Sequence, residues 1–243
     1  MTTLSDFANA VLITGTGRRV GLYLAQRLLG SGWPVIAHYR TWTEDVARLQ
    51  LDGALCVAGD LATEAGLNHL ITSVQSTAPS LRAIVHNASD FAATSPLVGD
   101  ALHQLDSFYA IHMRAPYLLN CAFLDLLINC SNRRSDIIHI TDVYADNPNP
   151  IFDLYSATKA GLQNLSLSFA KKLAPKVKVN VIQPGPILFK DWHSPEVRKR
   201  VLDKTLLGEE GGPEAIGLAI EAIMANDYQT GAIIAVDGGR RLS

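Results

Sequence analysis

The chain has 243 residues, 48% hydrophobic and 18% charged, with a formal net charge of −2. That balance suits a globular enzyme, excludes a mostly disordered chain, and leaves no clustered basic face for nucleic acid. No apolar run approaches the ~18 residues that span a bilayer, and Met1 to Phe7 carry no basic leader, so a cytoplasmic protein without a membrane partner is expected. In chain order, short β-branched runs predict strands over 10–14, 34–38, 54–58, 83–86, 136–140, 178–182 and 232–236. Amphipathic stretches over 19–30, 43–50, 64–76, 100–128, 153–173 and 213–224 predict the intervening helices. This alternation implies repeated βαβ units in one domain over 1–243: a doubly wound, Rossmann-type α/β fold with a seven-stranded parallel sheet flanked by helices. The one irregular stretch, about 186–212, reads as a substrate cover or as a plain surface excursion with a short helix over 196–202.

Cys56, Cys121 and Cys130 lie in apolar contexts and are expected as buried free thiols of a reducing compartment. The Arg133-Arg134 and Arg240-Arg241 pairs read as solvated surface. No His, Cys or Asp grouping has metal-ligand spacing, so no metal is expected.

The run Thr14-Gly15-Thr16-Gly17-Arg18-Arg19-Val20-Gly21 passes from the first strand into the first helix. Its glycines permit a tight turn close to a pyrophosphate at the positive helix end, and Arg18 and Arg19 add charge there. The G-x-G-x-x-x-G spacing is weak alone and gains weight from its place on the first βα turn. The second strand ends in Arg40-Thr41 where NAD-binding chains usually carry a carboxylate, which favours NADPH through contacts to a 2′-phosphate. Asp60-Leu61 and Asn87-Ala88-Ser89 follow the third and fourth strands. Each could be ordinary loop chemistry; together they read as one crevice.

Tyr155 and Lys159 share one face of a helix at i, i+4 spacing. A phenol has a reference pKa of about 10, and an adjacent ammonium is expected to lower it for acid catalysis. The bland alternative is a helix with one buried Tyr and one exposed Lys.

From Thr14-Gly15 through Tyr155/Lys159 to Val236-Asp237-Gly238-Gly239, the chain resembles a short-chain dehydrogenase/reductase over essentially its whole length. Three positions depart from the common pattern: Arg19 replaces a glycine, Asp142 occupies the catalytic serine position, and His112 occupies that of an Asn. The first two resemble the pteridine reductases, as do Arg40 and the Asn87-Ala88-Ser89 run followed by Phe91; a bacterial branch of that subgroup also has the His. The resemblance implies NADPH-dependent reduction of dihydropterins, with some activity on dihydrofolate. It implies catalysis by Tyr155, Lys159 and Asp142, and cofactor contacts that include Thr141, Pro184, Gly185, Ile187 and Leu188. Phe91, Asp142, Tyr155 and Phe189 are implied to meet the substrate.

The residue types suit that chemistry. A carboxyl can accept from a pterin's N–H donors or relay a proton to its imine nitrogen, and Phe91 offers a flat face for stacking or simply packs its loop. His112 either relays protons through water or is a satisfied helix histidine. A carbonyl or 3-oxoacyl reductase and a non-catalytic NADPH-binding sensor are the alternatives. Family likeness further implies a homo-oligomer, a dimer or tetramer, built through the helices at 100–128 and 153–173.

Overall fold

The strands are β1 (Ala10–Thr14), β2 (Val35–Tyr39), β3 (Leu55–Ala58), β4 (Leu81–His86), β5 (Ser135–Ile140), β6 (Val177–Pro184) and β7 (Ile233–Val236). In the computed structural model, which describes residues 4–243, they form one sheet in the order β3-β2-β1-β4-β5-β6-β7, parallel throughout. Residues 1–3, part of the stretch read for a leader, lie outside the described residues. The strands sit within a residue or two of their predicted spans, and the parallel α/β fold expected from the alternation is the one observed.

Strand alternation feeds two cores. Leu12, Ile84, Ile137 and Val179 point to one face, under α3 (Glu64–Thr77), α5 (Ala115–Ala122) and α7 (Asp153–Leu173). Val11, Ile13, Val85, Ile138 and Ile182 point to the other, under α1 (Arg19–Gly30) and α9 (Gly212–Ala225). Helices on both faces bury every residue of β1, β4, β5 and β6. β1 is accordingly an unbroken apolar run up to Thr14, while polar residues of the other three, such as Arg82, Asp136, Lys178 and Asn180, are bonded in the interior. The side chains of Thr43 and Thr63 accept N–H bonds that start α2 (Glu44–Leu51) and α3.

The single helix expected over 100–128 is broken. It comprises α4 (Val98–Tyr109), a π turn at Ala110–Arg114, α5, and α6 (Leu124–Ile128). Pro116 lies in the first turn of α5 and cannot donate to the carbonyl of residue 112, so the chain widens through a π turn there. α5 buries Ala115, Pro116, Leu119 and Asn120, which leaves Cys121 on its outer face. Cys121 is therefore exposed and Cys56 half-buried, and only Cys130 fits the expectation of a buried thiol. The arginine pairs are also less free than expected: Arg134 donates to Pro175 O (3.0 Å) and Asp227 O (2.7 Å), and Arg240 to Val201 O (2.8 Å). Within the irregular stretch, α8 (Pro195–Leu202) is capped by Ser194. The far end returns to the start through Gly211 N–H to Pro186 O and Gly212 N–H to Ile187 O, both 3.0 Å. Among the described residues no helix is long and apolar enough to cross a membrane, and no metal-binding group is found.

Candidate active site

The loops after β1, β2, β3, β4, β5 and β6 meet at the carboxyl edge of the sheet, where open parallel sheets hold ligands. Gly15 has φ +76° and a Cβ there would lie 2.8 Å from Ala88 Cα; a Cβ on Gly21 would lie 2.1 Å from Gly15 O. The loop can therefore fold flat against β4 and α1 only with glycine at both positions. Asn87 Nδ2 donates to Thr14 O (3.0 Å) and Gly15 O (3.1 Å), while Thr14 Oγ1 accepts from the N–H groups of Asn87 and Ala88. Asn87 thus fastens the β1 loop to β4.

α1 begins without a side-chain cap or an acidic residue in its first turn, and Arg18 and Arg19 are exposed beside it. Its free N–H groups and dipole favour an anion. Arg40 and Thr41 are exposed next to this loop, with Thr41 O 3.6 Å from where a Gly17 Cβ would stand. Arg19 has φ +56°, and its guanidinium donates to Leu188 O (2.7 Å) and Phe189 O (3.2 Å), tying the β1 loop to the segment after β6. Leu61 and Ile187 turn their side chains into the two cores, so neither offers the crevice a side chain. Asp60 Oδ1 accepts from Ala62 N–H (2.9 Å). Thr141 bonds to Ile182 O, and Gly185 lies so close to Asp237 that a Cβ would meet its Cα at 2.7 Å. These last contacts set β5, β6 and β7 in register behind the crevice.

Tyr155, Asp142 and Lys159 converge. Tyr155 Oη donates to Asp142 Oδ2 (3.0 Å), whose other oxygen accepts from Tyr144 N–H (2.9 Å). Lys159 Nζ donates to Ile140 O (2.9 Å) and stands 5.7 Å from the centre of the Tyr155 ring. Burial raises the Asp142 carboxyl against the pull of its hydrogen bonds and of Lys159 and Arg240. Burial also lowers Lys159 to about 8. The expected lowering of Tyr155 is not found: burial and the neighbouring Asp142 carboxylate push the phenol well above its ordinary value. Lys159 sits against the backbone of β5, where its charge draws the Asp142 carboxyl downward against burial.

His112 projects from the π turn into a closed hydrogen-bond set. Its Nε2 accepts from Asp90 N–H (3.3 Å) and lies 3.0 Å from Ser89 Oγ, so the proton is on Nδ1, facing Thr158 Oγ1 at 2.9 Å. Thr158 in turn donates to Tyr155 O (2.9 Å). Burial and the Lys159 charge keep this imidazole neutral, well below its ordinary value. The satisfied-histidine reading is the one the geometry supports.

Phe91 stacks on Phe152 (4.4 Å, 25°) and meets Tyr155 edge-on (4.9 Å, 86°). Lys190 Nζ donates to Phe91 O (3.1 Å) and lies 5.1 Å from the ring. Phe189 packs instead within its own segment, against His193 (5.5 Å) and Arg198 (5.4 Å).

Several site-forming residues escape sequence reasoning. His38 accepts from Gly15 N–H (3.2 Å) and donates to Gly59 O (3.0 Å), bridging the loops after β1 and β3; burial lowers it to about 4. Phe152, one turn before Tyr155, was visible only as a second aromatic on the same helix entry. Thr158 carries no signal beyond residue type, and Thr14, read as the start of the glycine loop, gives no sign of its bonds to the Asn87 and Ala88 N–H groups.

A family model described as short chain dehydrogenase matches residues 9–196. A dihydromonapterin reductase of Klebsiella pneumoniae subsp. pneumoniae is 42% identical over 232 residues, covering 96% of each chain. One from an Enterobacter species is 40% identical over 234 residues, covering 96% of this chain and 97% of that one. Among solved structures, FolM alternative dihydrofolate reductase 1 from Brucella canis, complexed with NADP, superposes with a TM-score of 0.85 at 28% identity, over 98% of this chain and 96% of that one. Since the family model spans the glycine loop, the crevice and the helix of Tyr155 and Lys159 together, the chain belongs to the short chain dehydrogenase family.

Proposed function

We propose that this chain is an NADPH-dependent dihydropterin reductase, converting 7,8-dihydromonapterin to tetrahydromonapterin and also accepting dihydrofolate. The observation that carries this reading is the half-buried Asp142, whose carboxyl is bonded to Tyr155, in place of a serine hydroxyl. A hydroxyl suits a developing alkoxide; a carboxyl can hold the N–H donors of a pterin and supply a proton to its ring nitrogen. The relatives named dihydromonapterin reductase support it.

The residues fit the cofactor. The uncapped start of α1 with Gly15, Gly17, Arg18 and Val20 would take the pyrophosphate, and Arg40 and Thr41 the 2′-phosphate. Asp60, Ala88, Thr141, Lys159, Pro184, Gly185 and Leu188 line the rest of the crevice in this reading. NADPH supplies the hydride when bound. Phe91 and Tyr155 would position the pterin ring, while the protonated Asp142 carboxyl, held by the Tyr155 hydroxyl, would supply the proton for the nitrogen. Lys159, anchored on Ile140 O, keeps positive charge beside that pair.

The homo-oligomer and the cytoplasmic location belong to the same proposal. Val98, Leu102, Leu105 and Tyr109 form an exposed stripe along α4 that a second copy would cover. The proposal is tested by following NADPH oxidation by the purified protein with dihydromonapterin and dihydrofolate. Rapid turnover is expected; none with either substrate overturns the reading.

A further inference from the structure

A cleft of about 280 Å³, lined from Val143 (the residue after Asp142 in the chain) onward, lies between the loop after β5, the residues following α8 and the chain after β7. Its walls carry Tyr144, Asn147, Asn149, Lys204, Arg240, Arg241 and Ser243, and no Asp or Glu side chain among the described residues. None of the three cations forms an ion pair among the described residues.

The carboxylates nearest in sequence are turned elsewhere. Asp146 accepts from Gln163 (2.7 Å) and Gln183 (2.9 Å), and Asp203 accepts from Lys199 at 3.0 and 2.8 Å. The cationic wall is held in place: Asp237 accepts from the N–H groups of Gly239 (3.0 Å) and Arg241 (2.8 Å), and Arg240 is braced on Val201 O. Three cations that form no side-chain ion pair thus border one cleft, with the Asp237 carboxylate turned to backbone N–H groups, and that leaves the guanidinium and ammonium groups open to an anionic occupant.

An aromatic wall joins this cleft to the reacting groups. Tyr144 stacks on Phe152 (6.0 Å, 13°), Phe152 on Phe91, and Phe91 meets Tyr155 edge-on. The Arg240 charge is felt at the Asp142 carboxyl, which places cleft and reacting pair within one electrostatic neighbourhood.

We infer that this cleft seats the aromatic, carboxylate-bearing side chain of a dihydrofolate-class substrate while its pterin ring lies at Asp142 and Tyr155. The inference rests on the dihydropterin reading above. The benzoyl ring packs along Tyr144, and the glutamate carboxylates reach Lys204 and Arg241 through charge-assisted hydrogen bonds. A short neutral polyol side chain has no group that uses those charges, so the cleft discriminates between dihydropterins by their tails.

The test is steady-state kinetics of NADPH oxidation with dihydrofolate and dihydromonapterin, for the wild type and for Lys204→Gln/Arg241→Gln. Arg240 is left intact because it braces the turn. The variant should raise KM for dihydrofolate relative to that for dihydromonapterin about ten-fold, with little change in kcat. Added salt should raise the dihydrofolate KM selectively in the wild type, and Arg241→Lys should restore most of the preference. Free p-aminobenzoylglutamate should compete with dihydrofolate in the wild type and lose its effect in the variant. An unchanged KM ratio in a variant of wild-type Tm overturns the inference, as does a wild type that reduces dihydromonapterin but not dihydrofolate. A wild type that reduces neither substrate overturns the dihydropterin reading itself, and this inference with it.

Discussion

The hydrogen bond between Tyr155 and Asp142 couples two acids that burial keeps from ionising easily. If that pair delivers the proton, Tyr155→Phe should cost turnover on the order of 10²-fold, with NADPH affinity, read by fluorescence titration, changed far less. Asp142 is raised above the ordinary carboxylate range, so its protonated form persists to higher pH and is lost as pH climbs further. The wild-type kcat/KM should therefore fall with rising pH. Asp142→Asn, which cannot ionise, should be slow and should lack that limb; an unchanged profile would remove Asp142 from proton transfer. Arg40→Ala should weaken NADPH roughly ten-fold or more in competition binding and NADH hardly at all; equal losses would mean that Arg40 does not read the 2′-phosphate. At this scale the sequence is informative where spacing alone decides geometry. Tyr155 and Lys159 meet because i, i+4 residues share a helix face. Arg19, by contrast, looked like a phosphate ligand, and its bonds to Leu188 O and Phe189 O depend on a segment some 170 positions away in the chain. The sign of the Tyr155 shift was also out of reach, because it depends on which oxygen the phenol faces.

The phosphate loop works as an element only because α1 can press against β1. A Cβ on Gly21 would sit 2.1 Å from Gly15 O and 2.5 Å from Asn87 Nδ2. Gly21→Ala should destabilise the fold by about 3 kcal/mol and abolish NADPH binding together, read as Tm and as a titration; a stable variant that binds normally would show that α1 can shift without opening the crevice. The strands are legible to within a residue or two because double burial gives each a short core of β-branched and other apolar residues, such as Ala83, Ile84 and Val85 in β4 and Ile137 and Ile138 in β5. The 100–128 stretch was not, since α and π turns share nearly the same apolar period. The break at Ala110–Arg114 follows from the N–H missing at Pro116. That π turn aims His112 at Ser89 and Thr158, so an element-level irregularity sets the hydrogen-bond partners of a single residue.

Across the whole molecule, buried neutral histidines couple the fold to acid. His38 and His86 are both lowered by burial to about 4, while each titrates near its ordinary 6.5 when the chain unfolds. Between those values the unfolded chain binds more protons, so stability is full above roughly pH 6.5 and declines as pH falls toward 4. The Tm should drop steadily through that window, and His38→Gln should reduce the slope; a flat profile would mean the unfolded chain does not regain those protons. At the opposite edge of the sheet, Asp136 is buried between Arg82 and Lys178 (3.1 Å to the latter), joining β4, β5 and β6. Removing its charge with Asp136→Asn leaves two cations in the interior and should cost about 3 kcal/mol in denaturant unfolding; a much smaller loss would mean the carboxyl is not ionised there. The measurement that bears most directly on function is NADPH oxidation by the purified protein with dihydromonapterin, dihydrofolate and a β-ketoester side by side. Rapid oxidation with the dihydropterins and little with the ketoester is predicted. The reverse preference would contradict the account and assign Asp142 and Tyr155 to a carbonyl reductase.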